Sequence, residues 1–307
     1  MAFFFGVVVP YAALAIFLAG VVLRVVTWAR SPVPFRIPTT CGQQKSLPWI
    51  KDAKLENPAT TWGVLGRMAL EVLLFRSLMR NTRAERHAGP KVAYHWQKWL
   101  WLAALGFHWS LLVIVLRHLR LALQPVPAFV RGLAALDSFF QIGLPGLYMT
   151  DVLIVLALSY LLLRRVVVAQ VRYISLPTDY FLPLLILSVA GSGILMRYFY
   201  RVDITAIKEL VMGLAAFSPR VPAGIGLIFY VHVFLVSTLL AYIPFSKVVH
   251  LAGVFLSPTR NLTANSREVR HVNPWNYPVP IHTYHEYEEE FRDKMRAAGL
   301  PVEGEGA

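Results

Sequence analysis

Charge is what this chain has least of. Asp, Glu, Lys and Arg make up 15% of its 307 residues, against about 25% in an average soluble domain. Apolar residues make up 56%, the mean hydropathy is +0.53, and the apolar residues gather in long runs rather than alternating. This excludes an ordinary soluble domain and implies one membrane domain with soluble appendages. Acidic residues are the scarcer sign: 17 against 30 Lys and Arg, a net charge of +13. No basic–aromatic reading motif accompanies that excess, so nucleic acid is not an expected partner. Basic loops held on the cytoplasmic side of a bilayer explain it better.

Cysteine is nearly absent. With Cys41 alone, the chain has no internal disulfide, no Cys-x-x-Cys-His haem attachment and no thiolate set for an iron–sulfur cluster. Any haem is therefore held non-covalently, and any iron–sulfur centre belongs to another subunit. Cys41 reads as an inert thiol in a docking loop, with a redox-active thiol beside Lys45 as the alternative.

The first run, MAFFFGVVVPYAALAIFLAGVVLRVV, has no basic n-region and no small-residue cleavage site. It reads as a retained helix rather than a signal peptide. Five spans are expected, over 3–27, 96–119, 147–169, 179–200 and 224–249, each long enough for a hydrocarbon core of roughly 30 Å. The expected fold class is an all-α integral membrane protein, a five-transmembrane-helix bundle with haem b between its helices. The 61–80 stretch, interrupted by Arg67, Glu71, Arg76 and Arg80, is expected as an amphipathic surface helix, and 204–217 as a short helix on the membrane. An outside N-terminus leaves 21 Lys and Arg in the inside segments against 5 in the outside loops. The positive-inside rule then puts the N-terminus outside and the C-terminus in the cytoplasm.

The organisation that follows is a first helix (1–28), a cytoplasmic insert (29–92), a four-helix core (93–250) and a cytoplasmic tail (251–307). Insert and tail both begin irregularly, with Pro32, Pro34, Pro38 and Pro48 in one and Pro258, Pro274, Pro278 and Pro280 in the other. The tail ends in YHEYEEEFRDKMRAA, a short helix with Gly299 at the position of a C-cap glycine.

Of nine histidines, four fall in or at the ends of two expected spans: His108 and His118 in the second, His232 and His250 in and just after the fifth. Ionisable side chains inside a bilayer are costly, so each is a functional candidate. Haem iron takes two axial ligands, and imidazoles from two facing helices supply them. By depth, His108 pairs with His250 at the inner face and His118 with His232 at the outer. The separations differ, roughly 15 Å for ten residues against roughly 27 Å for eighteen in ideal helices, and Pro244 allows a bend between His232 and His250. The competing readings are a buried hydrogen-bonded histidine for His108 and interfacial residues for His118 and His250. His95 competes with His108 as ligand, faces a quinone, or sits in an aromatic belt with Tyr94, Trp96 and Trp99. His87 is expected in solvent. His271, His282 and His285 have no cysteine or acidic set around them, so no zinc site is expected.

The four-histidine spacing resembles the gamma subunit of respiratory nitrate reductase, over roughly 93–250. That family has five spans, an outside N-terminus and two bis-histidine b haems, which the resemblance places on His108, His118, His232 and His250. The insert CGQQKSLPWIKDAKLENP and the tail NPWNYPVP…MRAAGLPVE resemble the DsrM family, membrane subunits of the sulfite-reductase-associated electron-transfer complex, over nearly the whole chain. This resemblance implies electron exchange with the quinone pool, menaquinone in particular. It implies a DsrK-like cytoplasmic iron–sulfur partner similar to heterodisulfide reductase. It also implies a periplasmic multihaem cytochrome c, a periplasmic iron–sulfur protein, a second membrane protein and an inner-membrane location. A quinone site needs a lipid-accessible cleft near a haem and a group that exchanges protons. Asp151, Arg117, Arg120 and Tyr148 share the depth of His118 and are the candidates, with helix capping as the alternative for Asp151. A nitrate-reductase-type gamma subunit and a haem-free anchor or transporter are the rival readings.

Overall fold

The computed structural model describes residues 1–31, 43–45, 47, 49–79, 83–89, 92–139, 146–265 and 282–303. Cys41 and His271 lie outside them.

Among the described residues, four helices are long and apolar enough to cross a membrane: α1 (Phe4–Ala29), α4 (Lys98–Ala122), α8 (Pro177–Tyr198), and α10 (Leu227–Tyr242) with its 3-10 continuation to Phe245. The expected 147–169 span forms a 19-residue helix, α6 (Met149–Val167), too short for any 18-residue stretch of it to leave out one of its three charges. Its charges sit at its ends, Asp151 in the first turn and Arg164 and Arg165 in the last, where each sign opposes the helix dipole. Shorter helices fill the connections: α2 (Thr61–Leu74), α3 (Arg76–Met79), α5 (Ala128–Asp137), α7 (Ala169–Tyr173), α9 (Ile204–Ala215), α11 (His250–Gly253) and α12 (Tyr284–Ala297).

The long helices pack in sequence, α4 on α6, α6 on α8, α8 on α10 and α10 on α1. One core joins the middle of this array, with Ile154, Leu158 and Ile186 buried against Phe107, Leu111, Ile114, Leu182 and Leu239. A second core, Val7, Ile207, Leu210 and Phe229, packs α9 between α1 and α10. The helix expected at 204–217 is therefore packed into the bundle along one face. Close approach of α1 to the end of α10 needs Gly20: a Cβ there would stand 2.5 Å from Cβ of Pro244. Small residues at such crossings let helices meet where lipid gives no hydrophobic drive.

The chain departs from expectation in four places. A two-stranded antiparallel hairpin, β1 (Arg83–Arg86) and β2 (Val92–His95), pairs Arg83 with His95 and turns through Gly89 at φ +80°. The loop after α4 contains α5, which follows Pro125 and Pro127 and ends at a buried Asp137. The span expected at 224–249 is broken, because Pro244 supplies no N–H and Ser246 is extended; two 3-10 turns then lead to α11, which starts at His250. Helix α2 is amphipathic as expected, but Arg67 and Glu71 point into the protein instead of into solvent.

Insert and tail form one packed unit. Arg67 donates to the carbonyls of Glu56 (2.6 Å) and Thr259 (3.0 Å). Glu71 faces Arg260 at 3.8 Å, Arg76 pairs with Glu56 at 2.8 Å, and Ala264 N–H donates to Pro58 O at 2.7 Å. Helix α12 has its Thr283–Glu286 capping box and Gly299 at φ +70°, as its sequence requires.

Candidate functional site

His108 and His118 project from α4 ten residues apart. That is about 15 Å along the axis and leaves the two rings about 80° apart around it. Their partners therefore stand at different azimuths as well as different depths, which a single straight helix does not provide. The break after Tyr242 supplies the second direction. His232 stays on α10, whereas His250 starts α11 after the chain has turned.

The structure brings His108 and His250 together, with ring centroids 6.1 Å apart and planes at 74°. Two metal–nitrogen bonds of about 2 Å plus half an imidazole on each side span about 6 Å. His118 and His232 lie within electrostatic range of one another, and Asp151 within range of His118. His108 and His250 thus stand ring to ring, and His118 and His232 lie near one another. His108 and His232 are half-buried, His118 and His250 exposed.

Tautomer is fixed at all four. His108 Nδ1 is 2.7 Å from Ala104 O, His118 Nδ1 is 2.7 Å from Ile114 O, and His250 Nδ1 is 2.9 Å from Lys247 O. A carbonyl only accepts, so each Nδ1 carries the proton and each Nε2 keeps its lone pair. His232 Nδ1 is 2.8 Å from Ser192 Oγ, whose own proton goes to Val189 O at 2.9 Å. Toward His232 the serine therefore presents an acceptor, and His232 too has a free Nε2. A donor on the far nitrogen is what a metal-binding imidazole needs to hold its orientation and raise its basicity. No group of three or more metal-ligating side chains occurs among the described residues. Haem asks for two per iron, so the donor set fits haem.

Around the His108 pair, Phe75 touches the His108 ring edge-on at 4.8 Å and Phe107 at 4.7 Å. Phe75 ends α2 in the left-handed conformation at φ 50°. Indole N–H groups of Trp101 and Trp109 donate to Leu74 O (2.7 Å) and Leu73 O (3.1 Å), fastening α2 to α4.

Beside His118 stands a dense polar network. Arg117 pairs with Asp137 at 3.1 Å and Asp151 at 3.2 Å, and donates to Thr150 Oγ1 at 3.1 Å. Thr150 Oγ1 and N–H in turn donate to Asp137, at 2.6 and 2.9 Å. Tyr198 OH donates to Asp151 at 2.9 Å, and Arg120 donates to Tyr148 OH at 3.1 Å. The Tyr148 ring lies between two guanidiniums, Arg117 at 3.6 Å and Arg197 at 3.8 Å. The expected residues Asp151, Arg117, Arg120 and Tyr148 do meet here. Asp137, Thr150, Arg197 and Tyr198 complete the group and were not anticipated. Both oxygens of Asp151 are engaged, one by Arg117 and the other by Tyr198.

His87, His282 and His285 are exposed, and His95 ends β2. Residues 59–271 match the model of the nitrate reductase gamma subunit family. The chain is 48% identical to the "Hdr-like menaquinol oxidoreductase cytochrome b-like subunit" of Archaeoglobus fulgidus, over 89% of this chain and 83% of that one. It is 43% identical to the protein of the same description in Archaeoglobus profundus, with the same coverage. With four apolar helices of spanning length among the described residues and this similarity, the chain is a multi-pass membrane protein that belongs to the nitrate reductase gamma subunit family.

Proposed function

We propose that this chain is a di-haem b subunit of the inner membrane that exchanges electrons between menaquinone and a cytoplasmic iron–sulfur partner. The observation that carries the reading is the shared state of four imidazoles: every Nδ1–H is spent on an acceptor, which leaves the Nε2 lone pair of each to a metal. Iron of one haem is held by His108 and His250, and of the other by His118 and His232. Haem supplies a one-electron centre, and the chain supplies ligands, orientation and dielectric. In this reading α6 is the fifth span, the N-terminus is outside, and the His118 pair is the outer one. The relatives' description as menaquinol oxidoreductase subunits supports the quinone. Similarity to the DsrM family supports dissimilatory sulfur metabolism, a DsrK-like partner resembling heterodisulfide reductase, and the periplasmic cytochrome c, periplasmic iron–sulfur and second membrane subunits.

Quinol meets the chain at the outer end, near Asp151, Arg117, Arg120 and Tyr148. Three arginines against two aspartates leave excess positive charge, which favours loss of a proton from a quinol hydroxyl. Tyr198 OH, already donating to Asp151, is the route by which that carboxylate takes part. Asp151→Asn slows quinol-driven haem reduction while haem content is kept; unchanged kinetics would remove Asp151 from the site.

A dithionite-reduced minus oxidised spectrum with haem quantified per chain tests the whole reading. Two b haems per chain are expected, and one after His→Ala at any of the four positions. A folded preparation without haem, grown with iron, overturns the proposal in favour of an anchor or transporter. The family match favours a second reading, a gamma subunit serving a nitrate-reductase-like enzyme. The partner that co-purifies decides between them: an iron–sulfur protein of heterodisulfide-reductase type, or a molybdenum enzyme.

A further inference from the structure

Helix α2 is inside out for a helix on an aqueous surface. Arg67 and Glu71 are 4% and 9% exposed, whereas Trp62, Leu65, Val72 and Leu73 on its other side are 84%, 53%, 40% and 49% exposed. In water an amphipathic helix turns its charges outward and its apolar stripe to the core. Here the charges turn to segments of the same chain, to Glu56 O, Thr259 O and Arg260.

Its position relative to a spanning helix gives the reason. Carbonyls of the last turn have no partner within a helix. In α2, those of Leu73 and Leu74 accept the indole N–H groups of Trp109 and Trp101. Trp109 lies eleven residues into α4, roughly 16 Å along the axis, and its ring leans about a turn back toward the start. The α2 C-terminus therefore stands on the order of 10 Å below the level where α4 begins. Trp96 and Trp99, both largely exposed, mark that level as an aromatic belt. On α4 itself, Leu102 and Leu112 are likewise exposed apolar residues. The turn that follows α2 is internally satisfied, as backbone at membrane depth must be: Glu71 accepts both Ser77 N–H, at 3.1 Å, and the Ser77 hydroxyl.

We propose that α2 is a membrane-inserted element. It enters the bilayer obliquely with its Phe75 end deepest, lipid acyl chains covering Leu65, Val72 and Leu73 and residues 257–264 closing its polar side. Lipid contact here does not depend on whether the four histidines hold haem.

The test is site-directed spin labelling of the full chain, in its complex, reconstituted in phospholipid vesicles. Cys41→Ser removes the single native thiol, and nitroxides go on Leu65→Cys and Val72→Cys, two exposed positions so that loss of either variant leaves the other. Leu112→Cys on α4 is the lipid reference. Relaxation by oxygen exceeding that by a water-soluble nickel chelate at both positions, and more so at 72 than at 65, is expected. Preferential relaxation by the chelate overturns the proposal and returns α2 to water. Protection from both reagents overturns it too and assigns the face to a protein neighbour.

Discussion

Ser192 Oγ accepts from His232 and donates to Val189, so one hydroxyl fixes the tautomer of one imidazole. The other three imidazoles take that instruction from main-chain carbonyls. Ser192→Ala frees His232 to rotate, and haem affinity at that pair falls about ten- to a hundred-fold. Ser192→Thr, which keeps the hydroxyl, retains it. Haem transfer to excess apomyoglobin, timed by absorbance, separates the two; equal rates for wild type and Ser192→Ala would show the hydrogen bond to be dispensable. The histidines were legible in the sequence because an ionisable group in an apolar run stands out. Ser192 was not, since serine is unremarkable in a spanning helix and its partner lies forty residues away. Asp137 was missed for a related reason. It ends a ten-residue helix in what reads as a loop, and only folding brings it to Arg117.

At the scale of elements, the long apolar runs fixed the positions of all five long helices to within a few residues, because length and hydropathy are local properties. The break at Pro244 was only half legible: proline announced a bend, but the two 3-10 turns and the start of α11 at His250 depend on what packs there. Gly20 is the decisive neighbour. A Cβ at that position meets the Pro244 ring at 2.5 Å and 2.8 Å, and a ring has no rotamer by which to escape. Gly20→Ala therefore separates α1 from the turn and destabilises the protein by about 1–3 kcal/mol. A lowered thermal midpoint in detergent, with loss of haem from the His250 pair first, is the expected record. By contrast a Cβ at Gly193 would stand 3.5 Å from His232 Cε1, an ordinary contact, so Gly193→Ala leaves stability and haem content near wild type. The β-hairpin escaped notice because four-residue strands carry too few residues to show a period.

At the scale of the whole molecule, two polar groups lie at opposite ends of the long helices. One is the Arg117–Asp137–Asp151 network. The other joins Asp179 to Lys247 (2.7 Å) and Arg165 (3.7 Å), and Arg164 to Gln97 (2.7 Å). Sequence patterning showed that the chain is a membrane protein, but could not show which way α2 faces. Its spacing of charged and apolar residues is the same whichever side is wet, and only the docked segment 257–264 settles the orientation.

The bend that carries His250 has a consequence for biosynthesis. Arg24 of α1 donates to Pro244 O at 3.2 Å, so a helix translated early helps to hold a turn translated 220 residues later. The His118–His232 pair has both its members once α10 is translated. The His108–His250 pair waits for α11 and for its docking against α1. Assembly of the two imidazole pairs is thus ordered in time, and a polypeptide arrested between residues 232 and 250 carries one complete pair and a single unmatched histidine for the other.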